Sequence, residues 1–319
     1  MWIPLLLIIS GLILLKQGAD WFIKGSSGLA RMFNVSELTI GLTIVAIGTS
    51  SPELFVNSFA SFKGNYDIVM GNIIGSNIFN LFIILSIVGI VRPLKVQSST
   101  AWREIPFSLL ALLILFFLIN DKLIFRKEFS QLGRADALIM LAFFLLFLYY
   151  AFRQLKNDTA IAVKREQEAI ISSKKIVLLL IAGMAGLISG GKLVLDNSVK
   201  LAIELGLSEK IIGLTIVAAG TSLPELATSL VAIIKKNNDL AVGNIIGSNI
   251  FNILFILPVS SLIRPLQFNP AFNLDISFIA FGTLVLFIAM YTGKRKQIDR
   301  WEVFVLLICY ALYMIYMLK

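Results

Sequence analysis

The chain has 319 residues, 58% of them hydrophobic, with a mean hydropathy of +0.88. Soluble domains average about 45–50% apolar, and the excess here lies in unbroken runs such as "WIPLLLIISGLILL" and "IPFSLLALLILFFLI", which exclude a soluble globular class. The net charge of +9 sits in the segments between those runs, where it sets membrane topology and gives no reason to expect a nucleic-acid partner.

A helix needs ~20 mainly apolar residues to cross the hydrocarbon core. Ten such runs are predicted. The first, 2–23, has no basic segment before it, so a cleaved signal peptide is not expected. The second, 38–61, carries "GLTIVAIGTSSPEL", and the third, 68–91, carries "GNIIGSNIFN". Runs at 104–120 and 135–152 complete a first set of five. The charged stretch 153–175 reads as a solvated linker. A second set follows at 176–195, 211–234, 240–263, 274–291 and 301–318. None alternates as membrane β-strands do. The sequence therefore predicts an all-α integral membrane protein of ten transmembrane helices, with the lipid bilayer as its surroundings. Cys309, the single cysteine, lies in the last run, and there is no histidine. An internal disulfide is impossible, and the commonest transition-metal ligand and proton shuttle are missing.

With the N-terminus outside, the loops that face the cytoplasm hold 17 Lys and Arg against 9 in the external segments, Lys16 and Lys192 lying within spans. The positive-inside rule thus places both termini outside and the linker inside.

The two sets are copies. Residues 41–54 recur at 213–226 as "GLTIVAAGTSLPEL", changed only at positions 47 and 51, and 71–80 recur unchanged at 243–252. "VRPL" at 91–94 answers "IRPL" at 263–266. The expected organisation is 1–152 and 176–319 as two five-helix repeats joined by 153–175. An odd number of spans inverts the second copy, and inverted repeats build midplane sites from broken helices.

Within each copy a proline and a carboxylate interrupt an apolar helix. Proline removes an amide hydrogen and crowds the carbonyl four residues back, so Pro52 and Pro224 free the carbonyls of Gly48 and Gly220. Thr49 and Glu53 are four apart and share a face, with Ser50 beside them; Thr221, Ser222 and Glu225 repeat the arrangement. Ser76 and Asn80, like Ser248 and Asn252, are also four apart. Inverted copies would bring Glu53 and Glu225 together, with these hydroxyls and amides around them. Every donor is a hard oxygen, which suits Ca2+ and, by the same logic, Na+. A single serine, proline or glycine in such a helix is ordinarily packing or a local hydrogen bond. A mid-span carboxylate costs at least about 2.5–3.5 kcal/mol and is functional by default, and here there are two in equivalent contexts. The repeated asparagines 72 and 244, and 77 and 249, read as interhelical hydrogen-bonders.

"GTSSPE" and "GTSLPE", each followed by "GNIIGSNIFN", resemble the paired alpha-repeat motifs of the sodium/calcium exchanger family, within the cation/calcium antiporter superfamily. The resemblance covers essentially the whole chain. It implies Glu53 and Glu225 as central ligands that Ca2+ and Na+ share, with Thr49, Ser50, Ser76, Thr221, Ser222 and Ser248 completing flanking sites with the backbone oxygens of Ala46 and Ala218. It also implies that Asn80 and Asn252 close the middle, and that the first and sixth helices slide past the other eight. Some relatives, potassium-dependent exchangers among them, carry aspartate where this chain has Asn252, which argues against potassium coupling. No cofactor is expected; Ca2+ and Na+ are the transported ions, a monomer suffices, and the short linker points to a minimal prokaryotic antiporter in the cytoplasmic membrane. A Ca2+/H+ antiporter could use the same two acids, although protons need no hydroxyl and amide shell. A channel ordinarily arranges its repeats around an axis along the membrane normal, whereas these are inverted. An intramembrane enzyme lacks a paired aspartate or a serine with a histidine base.

Overall fold

A computed structural model describes residues 2–33, 35–97, 100–126, 128–157, 172–205, 218–292 and 297–317. Among these, eight helices are long and apolar enough to cross a membrane. They are Trp2–Met32 (α1), Tyr66–Val91 (α3), Trp102–Ile119 (α4), Arg134–Asn157 (α5), Ser173–Glu204 (α6), Asn238–Ile263 (α8), Phe272–Ala289 (α9) and Arg300–Met317 (α10). The pair Glu37–Thr49 and Ser51–Lys63 (together α2) makes a ninth if read as one span broken at Ser50. Leu223–Ile234 (α7) is shorter and follows the turn of helix Ala218–Thr221. The start of the expected span 211–234 lies outside the described residues, as does the linker over 158–171. The protein is a nearly all-helical membrane protein.

Two helices exceed the expected spans by the most. α1 has 31 residues and α6 has 32, against the runs 2–23 and 176–195. At ~1.5 Å per residue each is ~45 Å long, well beyond the ~30 Å hydrocarbon core. Packing, not apolarity, extends α1: its last turns bury Gly25, Ser26, Gly28 and Ala30.

The chain divides into two compact units, residues 1–52 with 151–244, and residues 53–150 with 245–319. In the first unit α1 lies along α6, and glycines set their separation. A Cβ on Gly18 would stand 2.7 Å from the Leu187 nitrogen, and one on Gly183 only 2.5 Å from that of Phe22. The start of α2 crosses the start of α8 in the same manner: a Cβ on Gly41 would lie 2.8 Å from the Leu240 carbonyl oxygen, and one on Gly243 2.7 Å from that of Leu38. Small residues let membrane helices approach this closely. Toward the end of α1 the contacts turn polar. Lys235 pairs with Asp20 at 2.5 Å, and Glu37 accepts from Ser27 Oγ and Asn237 Nδ2, both at 2.9 Å.

The second unit holds α3, α4, most of α5, α9, α10 and the later parts of α2 and α8. Two short antiparallel ribbons tie its loops. Leu94–Lys95 (β1) pairs with Gln297–Ile298 (β4), and Gln131–Leu132 (β2) pairs with Leu266–Gln267 (β3). Each ribbon therefore joins a loop of one sequence half to a loop of the other. Phe82 stacks on Phe278 at 4.2 Å between ring centroids, and Phe278 stacks on Tyr313 at 4.5 Å. In each half the fourth and fifth helices are clasped by a tyrosine hydroxyl donating to a buried acid: Tyr150 to Glu104 at 2.7 Å, and Tyr313 to Asp275 at 2.8 Å.

Candidate ion-binding residues

The two "GTS" segments break their helices at the same point. Ser50 has φ −84° and ψ 7°, and Ser222 has φ −90° and ψ 11°. Both lie in the sparsely allowed bridge region where active-site residues recur. A new helix starts at the next residue in each case, with Pro52 or Pro224 in its first turn, where the missing amide hydrogen costs nothing. The Ala46 carbonyl keeps a backbone partner, accepting from the Ser50 nitrogen at 3.0 Å and from Thr49 Oγ1 at 3.3 Å. Ala218 opens the helical turn that ends at Thr221.

In the first unit the oxygens converge on Glu225, which is 1% exposed. Ser50 Oγ donates to Glu225 Oε1 at 2.7 Å. Thr49 Oγ1 donates to Asn244 Oδ1 at 3.1 Å, and Asn244 Nδ2 donates to Ser229 Oγ at 2.9 Å and to the Glu225 carbonyl at 3.4 Å. Asn244 therefore fixes α7 against α8 and holds Thr49 beside both. Thr221 and Ser222 are buried. Glu225 Oε2 and Ser222 Oγ have no hydrogen-bond partner among the described residues.

The second unit repeats the theme around Glu53, which is fully buried. Asn57 Nδ2 donates to the Glu53 carbonyl at 2.7 Å and to Asn72 Oδ1 at 2.9 Å. Asn80 Nδ2 donates to Asn249 Oδ1 at 3.1 Å. Ser76, Asn80, Ser248 and Asn252 are buried, and Ser76 Oγ, Asn80 Oδ1, Ser248 Oγ and both amide atoms of Asn252 have no partner among the described residues. The two asparagines of the motif occupy π-helical turns, Phe79–Ile84 and Asn252–Ile256. In each, the amide five residues on, Leu85 or Leu257, reaches the asparagine's own carbonyl. Such single wide turns recur at functional sites.

The predicted residues are thus brought together as Ser50 with Glu225 in the first unit; in the second unit Glu53, Ser76, Asn80, Ser248 and Asn252 are each buried, with Asn80 bonded to Asn249. Asn72, Asn244 and Asn249 do bond between helices. Asn77 does not: its Nδ2 donates to the Ile73 carbonyl of its own helix at 2.7 Å, the local bond that competes with interhelical pairing. Sequence reasoning missed Asn57 and Ser229. They stand at equivalent repeat positions, and each pairs with the equivalent asparagine, 72 or 244. Their identities differ between the copies, so the repeat did not flag them; their spacing four residues after the glutamate was the available signal.

The family described as "Sodium/calcium exchanger protein" matches residues 3–153 and 175–319. The sodium/calcium exchanger MaX1 of Methanosarcina acetivorans is 31% identical over 97% of both chains. The inner membrane protein YrbG of Escherichia coli strain K12 is 37% identical over 88% of this chain and 86% of its own. A solved structure of the sodium-calcium exchanger NCX_Mj, soaked with Na+ and Sr2+, superposes with a TM-score of 0.80 at 32% identity and covers 98% of both chains.

Proposed function

We propose, for a chain that belongs to the sodium/calcium exchanger family of membrane cation antiporters, that it exchanges Na+ for Ca2+ by alternating access. In this reading Glu53 and Glu225 are the charged ligands. Thr49, Ser50, Ser76, Thr221, Ser222, Ser248, Asn80, Asn252 and the carbonyls of Ala46 and Ala218 supply neutral oxygens. The observation that carries it is the set of buried oxygens without a hydrogen-bond partner among the described residues: Glu225 Oε2 and Ser222 Oγ in one unit, Ser76 Oγ, Ser248 Oγ, Asn80 Oδ1 and Asn252 Oδ1 in the other. A buried acceptor with no donor is costly, and a hard cation relieves that cost.

Charge then couples the two ions. Two ionised glutamates without a cation leave two buried negative charges, which is unfavourable in a low-dielectric interior. One Ca2+ cancels them, and three Na+ leave a single positive charge. Loaded forms therefore reorient more readily than the empty one, which gives exchange in place of leak. If more than two Na+ move per Ca2+, each cycle carries net charge and responds to voltage at about 2.3 kcal/mol per charge per 100 mV. The proposed setting is the cytoplasmic membrane, with both termini outside and the linker 153–175 inside, joining halves 1–152 and 176–319. A Ca2+/H+ antiporter is the alternative, since two buried carboxylates can also carry protons.

The experiment is uptake of radiolabelled Ca2+ into proteoliposomes loaded with Na+ and diluted into Na+-free, K+-free medium. Sodium exchange predicts uptake that needs internal Na+ and survives a protonophore. Uptake that collapses with the pH gradient and ignores Na+ selects the proton reading.

A further inference from the structure

On the reading that Glu225 is a cation ligand, we propose that Thr228 supplies a further oxygen to a monovalent hard cation of the Na+ class, at a position where the first half of the chain has none. Thr228 is fully buried, and its Oγ1 has no hydrogen-bond partner among the described residues.

That state sets Thr228 apart from buried hydroxyls that bond within their own helix, and aligns it with the candidate ligands Ser76, Ser222 and Ser248, whose hydroxyls also have no partner among the described residues. A hydroxyl buried in a membrane helix normally bonds back to the carbonyl four residues earlier. Thr43 does so to Thr39 at 2.6 Å, Thr283 to Ile279 at 2.9 Å, and Ser260 to Ile256 at 2.9 Å. Thr228 sits in the same kind of helix and forgoes that bond, so its hydroxyl is left for another partner. Its spacing says which kind. Glu225 and Thr228 are three apart and share one face of α7, which Thr221 precedes across the break at Ser222. In the same unit Glu225 Oε2 and Ser222 Oγ also have no partner among the described residues. A third oxygen one turn past the carboxylate extends that face without adding charge, which suits a monovalent ion better than one needing more negative ligands.

The repeat supplies an internal contrast. The residue equivalent to Thr228 in the first half is Val56. The two positions differ in chemistry and in setting: Thr228 is fully buried, whereas Val56 is 43% exposed. Na+ binding thus gains a ligand on the Glu225 side that position 56 does not offer beside Glu53.

Thr228→Val removes the oxygen and keeps the branched shape. In proteoliposomes it is expected to raise the Na+ concentration that half-activates Ca2+ exchange by at least about threefold, while Ca2+/Ca2+ exchange without Na+ keeps its half-saturation within about twofold. Thr228→Ser, which restores the hydroxyl, is expected to return Na+ activation to the wild-type value. If Thr228→Val does not yield folded protein, Thr228→Ala carries the same expectation. Glu225→Gln is assayed in parallel. If Glu225→Gln still transports Ca2+, the reading of Glu225 fails and takes this proposal with it. If Glu225→Gln is inactive while Thr228→Val keeps wild-type Na+ activation, this proposal alone is overturned. Equal losses in Na+ activation and in Na+-free Ca2+ exchange, unrelieved by serine, likewise overturn it by marking a packing role.

Discussion

Ser50 Oγ donates to the buried Glu225, at 2.7 Å from its Oε1. A hydrogen bond to a charged group contributes about 1.5–3 kcal/mol, so Ser50→Ala is expected to weaken the apparent affinity of the exchanged cation by roughly tenfold or more, read from saturation curves of Ca2+ uptake. An unchanged curve would mean that this bond does not hold the carboxylate in its binding position. Much of this chemistry was legible before the fold was known. A carboxylate in mid-membrane, set beside proline and two hydroxyls and written twice, leaves few readings. The braces were not legible. Asn57 and Ser229 are different residues with different side-chain reach, and both serve the same asparagine of the repeated motif. Only the packed helices show that position 57 and position 229 do one job. Asn77 erred the other way: repetition suggested an interhelical bond, and the carbonyl of Ile73 in its own helix was nearer.

Among the elements, α1 outran its apolar stretch because small residues pack in its last turns, as glycines do along its contact with α6, and hydropathy does not register small residues. That glycine contact has a direct test. A methyl group on Gly183 would lie 2.5 Å from a backbone nitrogen of α1, and backbone cannot yield as a flexible side chain can. Gly183→Ala is therefore expected to lose about 1–3 kcal/mol to overpacking and to lower transport, measured by thermal unfolding in detergent and by Ca2+ uptake. Gly133→Ala, whose added carbon would meet only the Asp136 carboxylate at 3.2 Å, is expected to stay near wild type. The tyrosine clasps predict a different pattern. Tyr313→Phe leaves the buried Asp275 without its donor, which is expected to reduce stability by about 1–3 kcal/mol with no change in the Na+ activation curve. A shifted activation curve would tie the clasp to ion binding. The break in α2 was legible from Pro52, although it falls two residues earlier, at Ser50.

For the whole molecule, the ten-span pattern and the doubled motifs led to the family that the relatives share, and the strand ribbons could not be foreseen from two-residue segments. Those ribbons constrain topology. β1 pairs with β4 and β2 with β3, so each pair of loops must lie on one side of the membrane, as alternating spans require. The proposed orientation of the set rests on the charge bias. A cysteine introduced by Ala160→Cys in a Cys309→Ser background is expected to resist an impermeant maleimide in intact cells and to react once the cells are opened. Ready labelling in intact cells would reverse the orientation.

The central claim is that two buried glutamates hold the transported Ca2+, and the most direct measurement is radiolabelled Ca2+ uptake, driven by an outward Na+ gradient, for Glu53→Gln and Glu225→Gln separately. Each substitution keeps the side-chain shape and removes one negative charge, so bound Ca2+ would strand an uncompensated positive charge at a cost of several kcal/mol. The account predicts uptake at the protein-free background for both variants, with wild-type yield and thermal stability in detergent. Uptake near the wild-type rate by either variant would contradict it.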